Sequence, residues 1–334
     1  MNGMQIDVVN PGTAGDEVET ACAMLRRAGK ALILCHASPD GDTIGSAFAL
    51  ARTLASAGKP VRVECSDVIP DKYDYIREGM DFADFTPDLI VASDVASETL
   101  LGDRLAAYRG KVDLCIDHHP SNTHYARVTL LRPGAAATCE IMADVIDRLG
   151  IPVTPGIAGC LYTGVATDTG CFRYSNTRPA TLRLAARLIE QGADAVFINK
   201  RMFETVSRER LALERLALST LKYYMGGRVA VLTVTRAMCA ESGAADSETE
   251  GLPSLPARIA GVEVGITVKE KEDGRVKVSV RTGGGANASD ICARLGGGGH
   301  ANAAGCAFTG RTVEQARDAV LQATREVWGD AGNP

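Results

Sequence analysis

The chain has 334 residues and a formal net charge of −5, with 46% hydrophobic and 23% charged residues. This length favours two domains. The acidic balance argues against a broad basic surface that tracks long duplex nucleic acid, although it permits a local basic pocket for a short phosphorylated ligand. No run reaches about 18 apolar residues and the N-terminus lacks a secretory pattern, so we expect a cytoplasmic protein without membrane contact.

The ten cysteines stand singly and never form a Cys-x-x-Cys pair. Most lie in apolar stretches, which predicts buried thiols in a reducing compartment. A zinc site built from thiolates would need paired spacing.

The first half of the chain alternates strand-like apolar runs with helix-like segments. The segment 44–58 has small and apolar residues at helical spacing and is predicted to be a crossover helix. Strands that alternate with helices predict an α/β fold, with an N-terminal doubly wound, mainly parallel sheet. The predicted strands are 31–35, 61–65, 88–93 and 112–116.

A change of pattern near residue 227 indicates a second, smaller α/β domain. It follows helix-like segments and a charged amphipathic stretch at 198–224, whose charges suit a solvated helical face. We therefore expect a first domain over 1–195, a helical connector over 196–226 and a second domain over 227–334. The strand-like runs of the second domain are 228–234, 262–271 and 275–282, with a turn at 271–274 between the last two.

Polar side chains follow three of the predicted strands of the first domain, and one more ends a predicted helix. In open α/β sheets, ligands bind beyond the carboxyl ends of the strands, so these side chains are expected at one edge. They are His36, Asp40 and Asp42 after the first strand, Asp94 after the third, Asp117, His118 and His119 after the fourth, and Asp168 at the helix end.

Each of these motifs alone has an ordinary explanation. The sequence Pro-Asp-Gly-Asp is a good turn, and an aspartate after a strand is often a helix cap. Together they predict a metal site, because crowded aspartates repel one another unless cations neutralise them. Oxygen and imidazole ligands without thiolates suit Mn²⁺ first, then Mg²⁺, Co²⁺ or Zn²⁺, and two cations about 4 Å apart suit in-line attack on phosphorus.

The second domain carries a run of four glycines, Gly296 to Gly299, directly followed by His300. Glycines let backbone N–H groups approach an anion, and Arg281 offers a bidentate fork for a phosphate. The alternative is a flexible loop between a helix and a strand. We favour an anion-binding role for Arg281, Gly298, Gly299 and His300.

These motifs resemble those of the DHH phosphoesterase superfamily. The stretch His-Ala-Ser-Pro-Asp-Gly-Asp at 36–42 is similar to its first motif, and the triad 117–119 to the one that names it. The stretch 296–305 is similar to the glycine-histidine box of the C-terminal DHHA1 domain. The chain looks most like the branch of bifunctional oligoribonucleases and 3′-phosphoadenosine 5′-phosphate phosphatases.

The resemblance implies a ligand set and a reaction. One Mn²⁺ would be held by His36, Asp40 and Asp94, and a second by Asp42, Asp94, His118 and Asp168. His119 would face the substrate phosphate, and Asp117 would orient the histidines. The implied enzyme, a monomer or homodimer, would degrade very short RNA to mononucleotides and 3′-phosphoadenosine 5′-phosphate to AMP. The alternatives are a phosphodiesterase for cyclic or linear dinucleotides and, in another class, a non-catalytic nucleotide or metal sensor.

Overall fold

The computed structural model describes residues 14–249, 251–283 and 285–328. The chain divides between Thr205 and Val206 into two compact units, called unit 1 and unit 2. The outer ends of the predicted domains, residues 1 and 334, lie outside the described residues. Among the described helices, none is long and apolar enough to cross a membrane.

Unit 1 is built on a five-stranded parallel sheet in the order β2-β1-β3-β4-β5. Four of its strands coincide with the predicted runs, and the predicted α/β fold class is confirmed. The fifth strand, at the edge, was not predicted, and three of its four residues are only partly buried. The strands are β1 (Ala31–Leu34), β2 (Val61–Glu64), β3 (Leu89–Ser93), β4 (Leu114–Asp117) and β5 (Val128–Leu131).

The central strands of unit 1, β1, β3 and β4, are buried on both faces. Ile33 faces a large core formed with the helices, whereas Leu32 and Leu34 face a smaller cluster that includes Leu101 and Leu105. Such two-sided burial is typical of parallel sheets and leaves polar side chains to the strand ends. The helices are α1 (Ala14–Arg27), α2 (Gly41–Ser56), α3 (Asp74–Arg77), α4 (Thr138–Leu149), α5 (Pro155–Asp168), α6 (Pro179–Glu190) and α7 (Ala195–Asn199).

The Pro-Asp-Gly-Asp sequence begins helix α2 and is not a free turn. Asp40 is the N-cap, and its Oδ1 accepts hydrogen bonds from the backbone of Asp42 at 3.0 Å and Thr43 at 3.1 Å. Gly41 does not have a left-handed backbone. A Cβ at Gly41 would instead overlap the side chain of Thr167, so glycine lets α2 pack closely against α5.

Unit 2 is built on a six-stranded mixed sheet in the order β10-β11-β9-β8-β7-β6. The predicted runs correspond to β7, β8 and β9, whereas the other three strands were not predicted. Its strands are β6 (Lys222–Tyr224), β7 (Val229–Val234), β8 (Val264–Glu270), β9 (Val276–Thr282), β10 (Gly298–His300) and β11 (Ala303–Phe308), and its helices are α8 (Arg208–Leu218), α9 (Arg236–Ser242), α10 (Ala288–Ala293) and α11 (Val313–Trp328).

The segment 196–226, predicted as a helical connector, is not one continuous helix. Helix α7 passes into a π-helical turn at Lys200–Glu204, the chain then extends, and α8 restarts at Arg208. Ser207 caps this restart by accepting a hydrogen bond from the backbone of Arg210 at 2.8 Å. The end of the segment is strand β6, so the charged periodicity belongs only to the middle part.

Candidate metal centre

All six predicted metal ligands lie in one cluster at the carboxyl edge of the unit 1 sheet. They come from the ends of β1 and β3, the first turn of α2, the segment after β4 and the last residue of α5. Parallel strands place their carboxyl ends side by side, which explains why segments distant in sequence meet here.

The cluster contains three sets of three ligand atoms in which the atoms of each set lie within 4.8 Å of one another, and one of them joins Asp94, His118 and His119. The other two together contain all six predicted ligands. The first of these two sets is His36, Asp40 and Asp94, and the second is Asp42, His118 and Asp168. In the first set, His36 Nε2 lies 3.6 Å from Asp40 Oδ1. In the second, His118 Nε2 lies 3.4 Å from Asp168 Oδ2 and 3.9 Å from Asp42 Oδ2.

The two carboxylate oxygens of Asp94 face different histidines, one from each of these two sets. Its Oδ2 lies 3.7 Å from His36 Nε2, and its Oδ1 lies 3.8 Å from His118 Nε2. The residue is 2% exposed and has a φ of 62°, a left-handed backbone that few non-glycine residues adopt. This backbone directs the carboxylate between the two imidazoles.

Backbone carbonyls fix the tautomer of both histidines. His36 Nδ1 donates a hydrogen bond to the carbonyl of Ala37 at 2.8 Å, and His118 Nδ1 donates to the carbonyl of Ala135 at 3.2 Å. A carbonyl can only accept, so each Nδ1 carries the proton. Each Nε2 faces the carboxylates, and once a cation takes the place of its proton it supplies the lone pair that a metal-ligating imidazole requires.

Asp117 is fully buried, and its carboxylate holds the segment that carries His118 and His119 through several hydrogen bonds. Its Oδ1 accepts hydrogen bonds from the backbone of His118 at 2.8 Å and from Nδ1 of His119 at 2.8 Å. Its Oδ2 accepts from Asn122 Nδ2 at 2.7 Å. The His119 side chain is 43% exposed, and because its Nδ1 bonds Asp117, its Nε2 is the nitrogen left for another partner.

Helix α4 begins at the cluster and holds two of its carboxylates. The backbone N–H groups of Thr138 and Cys139 donate to the two oxygens of Asp42 at 2.6 and 3.0 Å. The hydroxyl of Thr138 donates to Asp94 Oδ1 at 2.8 Å. The helix N-terminus also stabilises negative charge at this position.

Thr138 and Asn122 are site residues that the sequence interpretation missed. The threonine opening the helical run 138–150 could have indicated the role of Thr138. No pattern in the sequence indicates Asn122, whose side chain reaches Asp117 through the loop after β4.

The electrostatics of the cluster indicate a shortage of positive charge. Burial, together with the charges of Asp94 and Asp168, holds the pKa of Asp42 well above its usual value. Burial and the neighbouring aspartates likewise raise the pKa of Asp168 to about 6. Although burial opposes its protonation, hydrogen bonding to Asp40 and Asp94 raises the pKa of His36 to about 11.

The raised pKa values mean that the cluster retains protons between its carboxylates and imidazoles. Divalent cations in their place would neutralise the carboxylates. The donor set of carboxylate oxygens and imidazole nitrogens fits Mn²⁺ or Mg²⁺. The cluster is therefore a candidate metal site, and its composition fits the predicted pair of cations.

Two of the predicted anion-binding residues of unit 2, Arg281 and His300, lie in one row across three strands. His300 on β10 pairs with Ala303 on β11, which pairs with Arg281 on β9. Paired residues direct their side chains to the same face, so His300 and Arg281 share a face with the small Ala303 between them. Gly298 and Gly299 belong to strand β10 and are exposed, whereas Gly296 and Gly297 lie in the connection between α10 and β10.

Comparisons with known proteins agree with this architecture. Residues 30–165 match the DHH family, N-terminal domain, and residues 226–327 match the DHHA1 domain. The chain is 34% identical to the bifunctional oligoribonuclease and PAP phosphatase NrnA of Thermus thermophilus, over 91% of this chain and 92% of that protein.

Two further similarities cover nearly the whole chain. The cyclic-di-AMP phosphodiesterase GdpP of Geobacillus thermodenitrificans is 24% identical over 93% of this chain and 49% of that protein. The crystal structure of an exopolyphosphatase-related protein from Bacteroides fragilis superposes with a TM-score of 0.86 at 26% identity, covering 95% of this chain and 98% of that one. The chain belongs to the DHH family of phosphoesterases, combines its N-terminal domain with a DHHA1 domain, and is a hydrolase.

Proposed function

We propose that the protein hydrolyses very short oligoribonucleotides to mononucleotides and 3′-phosphoadenosine 5′-phosphate to AMP. The observation that carries the proposal is the pair of ligand sets at the unit 1 edge, with the carboxylate of Asp94 directed towards both. The similarity to an oligoribonuclease and PAP phosphatase over nine-tenths of the chain supports the substrate class.

In this proposal, His36, Asp40 and Asp94 hold one Mn²⁺. Asp94 is shared with a second set that consists of Asp42, His118 and Asp168. A pair of divalent cations supplies activation of water and stabilisation of charge on the phosphoryl oxygens. The protein contributes the fixed tautomers of both histidines and the helix α4 N–H groups that hold Asp42 in place.

His119 and Asp117 complete the proposed catalytic group. His119 Nδ1 donates a hydrogen bond to Asp117 Oδ1 at 2.8 Å. The ring therefore presents Nε2 to a substrate phosphate. The buried Asn122 keeps Asp117 in position through its other oxygen. His119 therefore contacts the substrate, whereas Asp117 positions the histidine segment.

In unit 2, we assign Arg281, Gly298, Gly299 and His300 to substrate binding. Arg281 and His300 share one face of the sheet, and both can donate hydrogen bonds to phosphate oxygens. The glycines leave the backbone next to His300 uncovered by side chains. A site that grips one phosphorylated end suits short substrates.

Initial rates on a set of substrates test this proposal. The purified protein with Mn²⁺ would be incubated with a labelled RNA dimer, a five-mer, a twenty-mer, 3′-phosphoadenosine 5′-phosphate and a cyclic dinucleotide. We expect the dimer, the five-mer and the bisphosphate to be hydrolysed faster than the twenty-mer. Preference for the twenty-mer would contradict the assignment to short substrates.

The same experiment separates the alternatives. The similarity to a cyclic-di-AMP phosphodiesterase is the observation that favours hydrolysis of cyclic or linear dinucleotides. Fastest cleavage of the cyclic dinucleotide would favour that activity. Nucleotide binding without hydrolysis of any substrate would favour a sensor.

A further inference from the structure

A small pocket of about 230 Å³ lies on the polar face of β8 and β9 in unit 2. The opposite face is apolar, since Ile266, Val268 and Val278 pack into the core with α10 and α11. Two directly opposed residues of the pocket, Thr267 and Ser279, lie at its centre. Pockets for drug-sized ligands measure about 300–1,000 Å³, so this one suits a single small group.

The hydroxyl group of Thr267 is buried without a partner among the described residues, and the residue opposite it, Ser279, also offers a free hydroxyl. Thr267 is 2% exposed, and its Oγ1 has no hydrogen-bond partner within the described ranges. Ser279 is 7% exposed, and its side chain makes no hydrogen bond to a described residue. A buried hydroxyl without a partner is destabilising, so a ligand that accepts from Thr267 would offset this cost, and it could also accept from Ser279 on the opposite strand.

Positive charge collects on both sides of these hydroxyls. Lys269 and Lys277 are directly opposed on β8 and β9, an arrangement that is unfavourable for like charges. Asp246 pairs with Lys269 and Lys271 at 2.6 Å each. One carboxylate thus serves two ammonium groups, and Lys277 forms no ion pair with any described residue.

Arg281 borders the pocket from the other side, two positions beyond Ser279 on β9. Side chains two apart on a strand share a face, and each position spans about 3.3 Å along the strand. A group seated at Ser279 is therefore within reach of both Arg281 and Lys277. No ion pair with a described residue neutralises Arg281.

We propose that this pocket binds a phosphate group, seated on Thr267 and Ser279 between Arg281 and the lysines. A phosphate presents three or more strong acceptor oxygens in different directions, which matches two hydroxyl donors, a guanidinium and an ammonium. A planar carboxylate has only two oxygens for these four donors. None of the lining residues belongs to the metal centre, and Arg281 is the lining residue that the pocket shares with the proposed substrate-binding set.

Binding of inorganic phosphate to the full chain in EDTA tests the proposal, because chelation prevents phosphate from binding through metal ions. Calorimetry would be done at constant ionic strength, with chloride as the reference anion. We expect one phosphate per chain and an affinity at least about tenfold weaker in Lys277→Gln, the loss expected for a charge-assisted hydrogen bond.

Two further variants make the result specific. Thr267→Val removes an unpartnered hydroxyl, so the protein should keep its melting temperature while phosphate binding weakens. Arg275→Gln removes one charge from the hairpin beside Lys277, where the exposed pair with Asp273 contributes little stability, and should bind phosphate normally. Absence of phosphate binding, or equal affinity in all three variants, would overturn the proposal.

Kinetic measurements with Mn²⁺ distinguish a phosphate group of the substrate from free phosphate. Only this measurement rests on the proposed function. If the group belongs to the substrate, Lys277→Gln raises KM for a 5′-phosphorylated RNA dimer and Arg275→Gln does not. If KM is unchanged while phosphate binding is weakened, the site takes free phosphate. Loss of the proposed hydrolytic function would leave the measurement in EDTA unaffected, so the two failures are distinguishable.

Discussion

The two units carry their functional side chains on different parts of a sheet and with opposite charge. Unit 1 has a parallel sheet whose central strands are buried on both faces, and its acidic cluster lies at the strand ends. Unit 2 has a mixed sheet with one apolar face, and its basic residues lie on the other face. Parallel sheets leave only their ends for polar chemistry, whereas sheets with antiparallel pairs can expose a whole face.

This difference separates the ligands of the two units. The edge of unit 1 gathers carboxylates and imidazoles and suits cations, while the face of unit 2 gathers hydroxyl, guanidinium and ammonium donors and suits anions. Substitutions at the unit 1 edge should therefore affect metal binding, and substitutions on the polar face of unit 2 should affect anion binding.

The largest effect is expected for Asp94→Ala in unit 1. Because Asp94 faces both ligand sets, its loss should lower Mn²⁺-stimulated hydrolysis by about 10³-fold or more. Initial rates with an RNA dimer measure the effect. Asp81→Ala removes an exposed carboxylate outside the cluster and should retain full activity. Substantial activity in Asp94→Ala would remove the shared-ligand assignment.

The metal-free protein should become less stable as the pH rises from about 4 to about 6. The folded pKa of Asp168 is about 6, mainly because of burial, whereas an unfolded aspartate has a pKa of about 3.9. The folded state holds the proton more tightly, so stability is lost between these values and levels off above them. The loss is roughly 3 kcal/mol.

Chemical denaturation in EDTA over this pH range measures that slope. Asp168→Asn should flatten the slope, and Mn²⁺ should restore stability to the unmodified protein at pH 8 more than to the variant. Asp81→Asn serves as the control for loss of a carboxylate. An equal slope in Asp168→Asn and the unmodified protein would contradict the prediction.

A smaller effect is expected for Thr138→Val, which removes the hydroxyl that donates to Asp94. Loss of such a supporting hydrogen bond typically weakens metal affinity by about 10–100-fold. Titration with Mn²⁺, followed by electron paramagnetic resonance, measures the affinity. Thr53→Val is a matched control, because Thr53 is also buried but donates only to the carbonyl of Ala49 within α2. Equal Mn²⁺ affinities in the two variants would contradict a positioning role.

The smallest expected effect is a difference in the free energy of unfolding between substitutions at two adjacent glycines of β10. Gly299 has a φ of 148°, and a Cβ there would lie 2.6 Å from the carbonyl of Ala303, so Gly299→Ala should cost about 1–3 kcal/mol. A Cβ at Gly298 meets nothing within 4 Å, so Gly298→Ala should leave the free energy of unfolding nearly unchanged. Urea denaturation measures both. Equal stability of the two variants would show that the strand tolerates a side chain at either position.

The sequence supported the prediction of four strands of unit 1, because short runs rich in apolar residues alternate there with helix-like segments. It did not indicate β5, which is a partly exposed edge strand, or β10, whose glycines suggest a loop. The interpretation of residues 39–42 as a turn was also incomplete. The same residues that suit a turn suit a helix cap, and only the packing of α2 against α5 distinguishes them.

The sequence by itself determined the fold class and the donor types, because strand periodicity and the order of polar residues after each strand are local properties. Only the tertiary structure decided that Asp94 faces two imidazoles and that the start of α4 holds Asp42. The second contact joins residues 96 positions apart in the chain, and it depends on close packing between α2, α4 and α5. No local pattern encodes such a contact, since it arises from the shape of whole elements and not from the propensity of any segment.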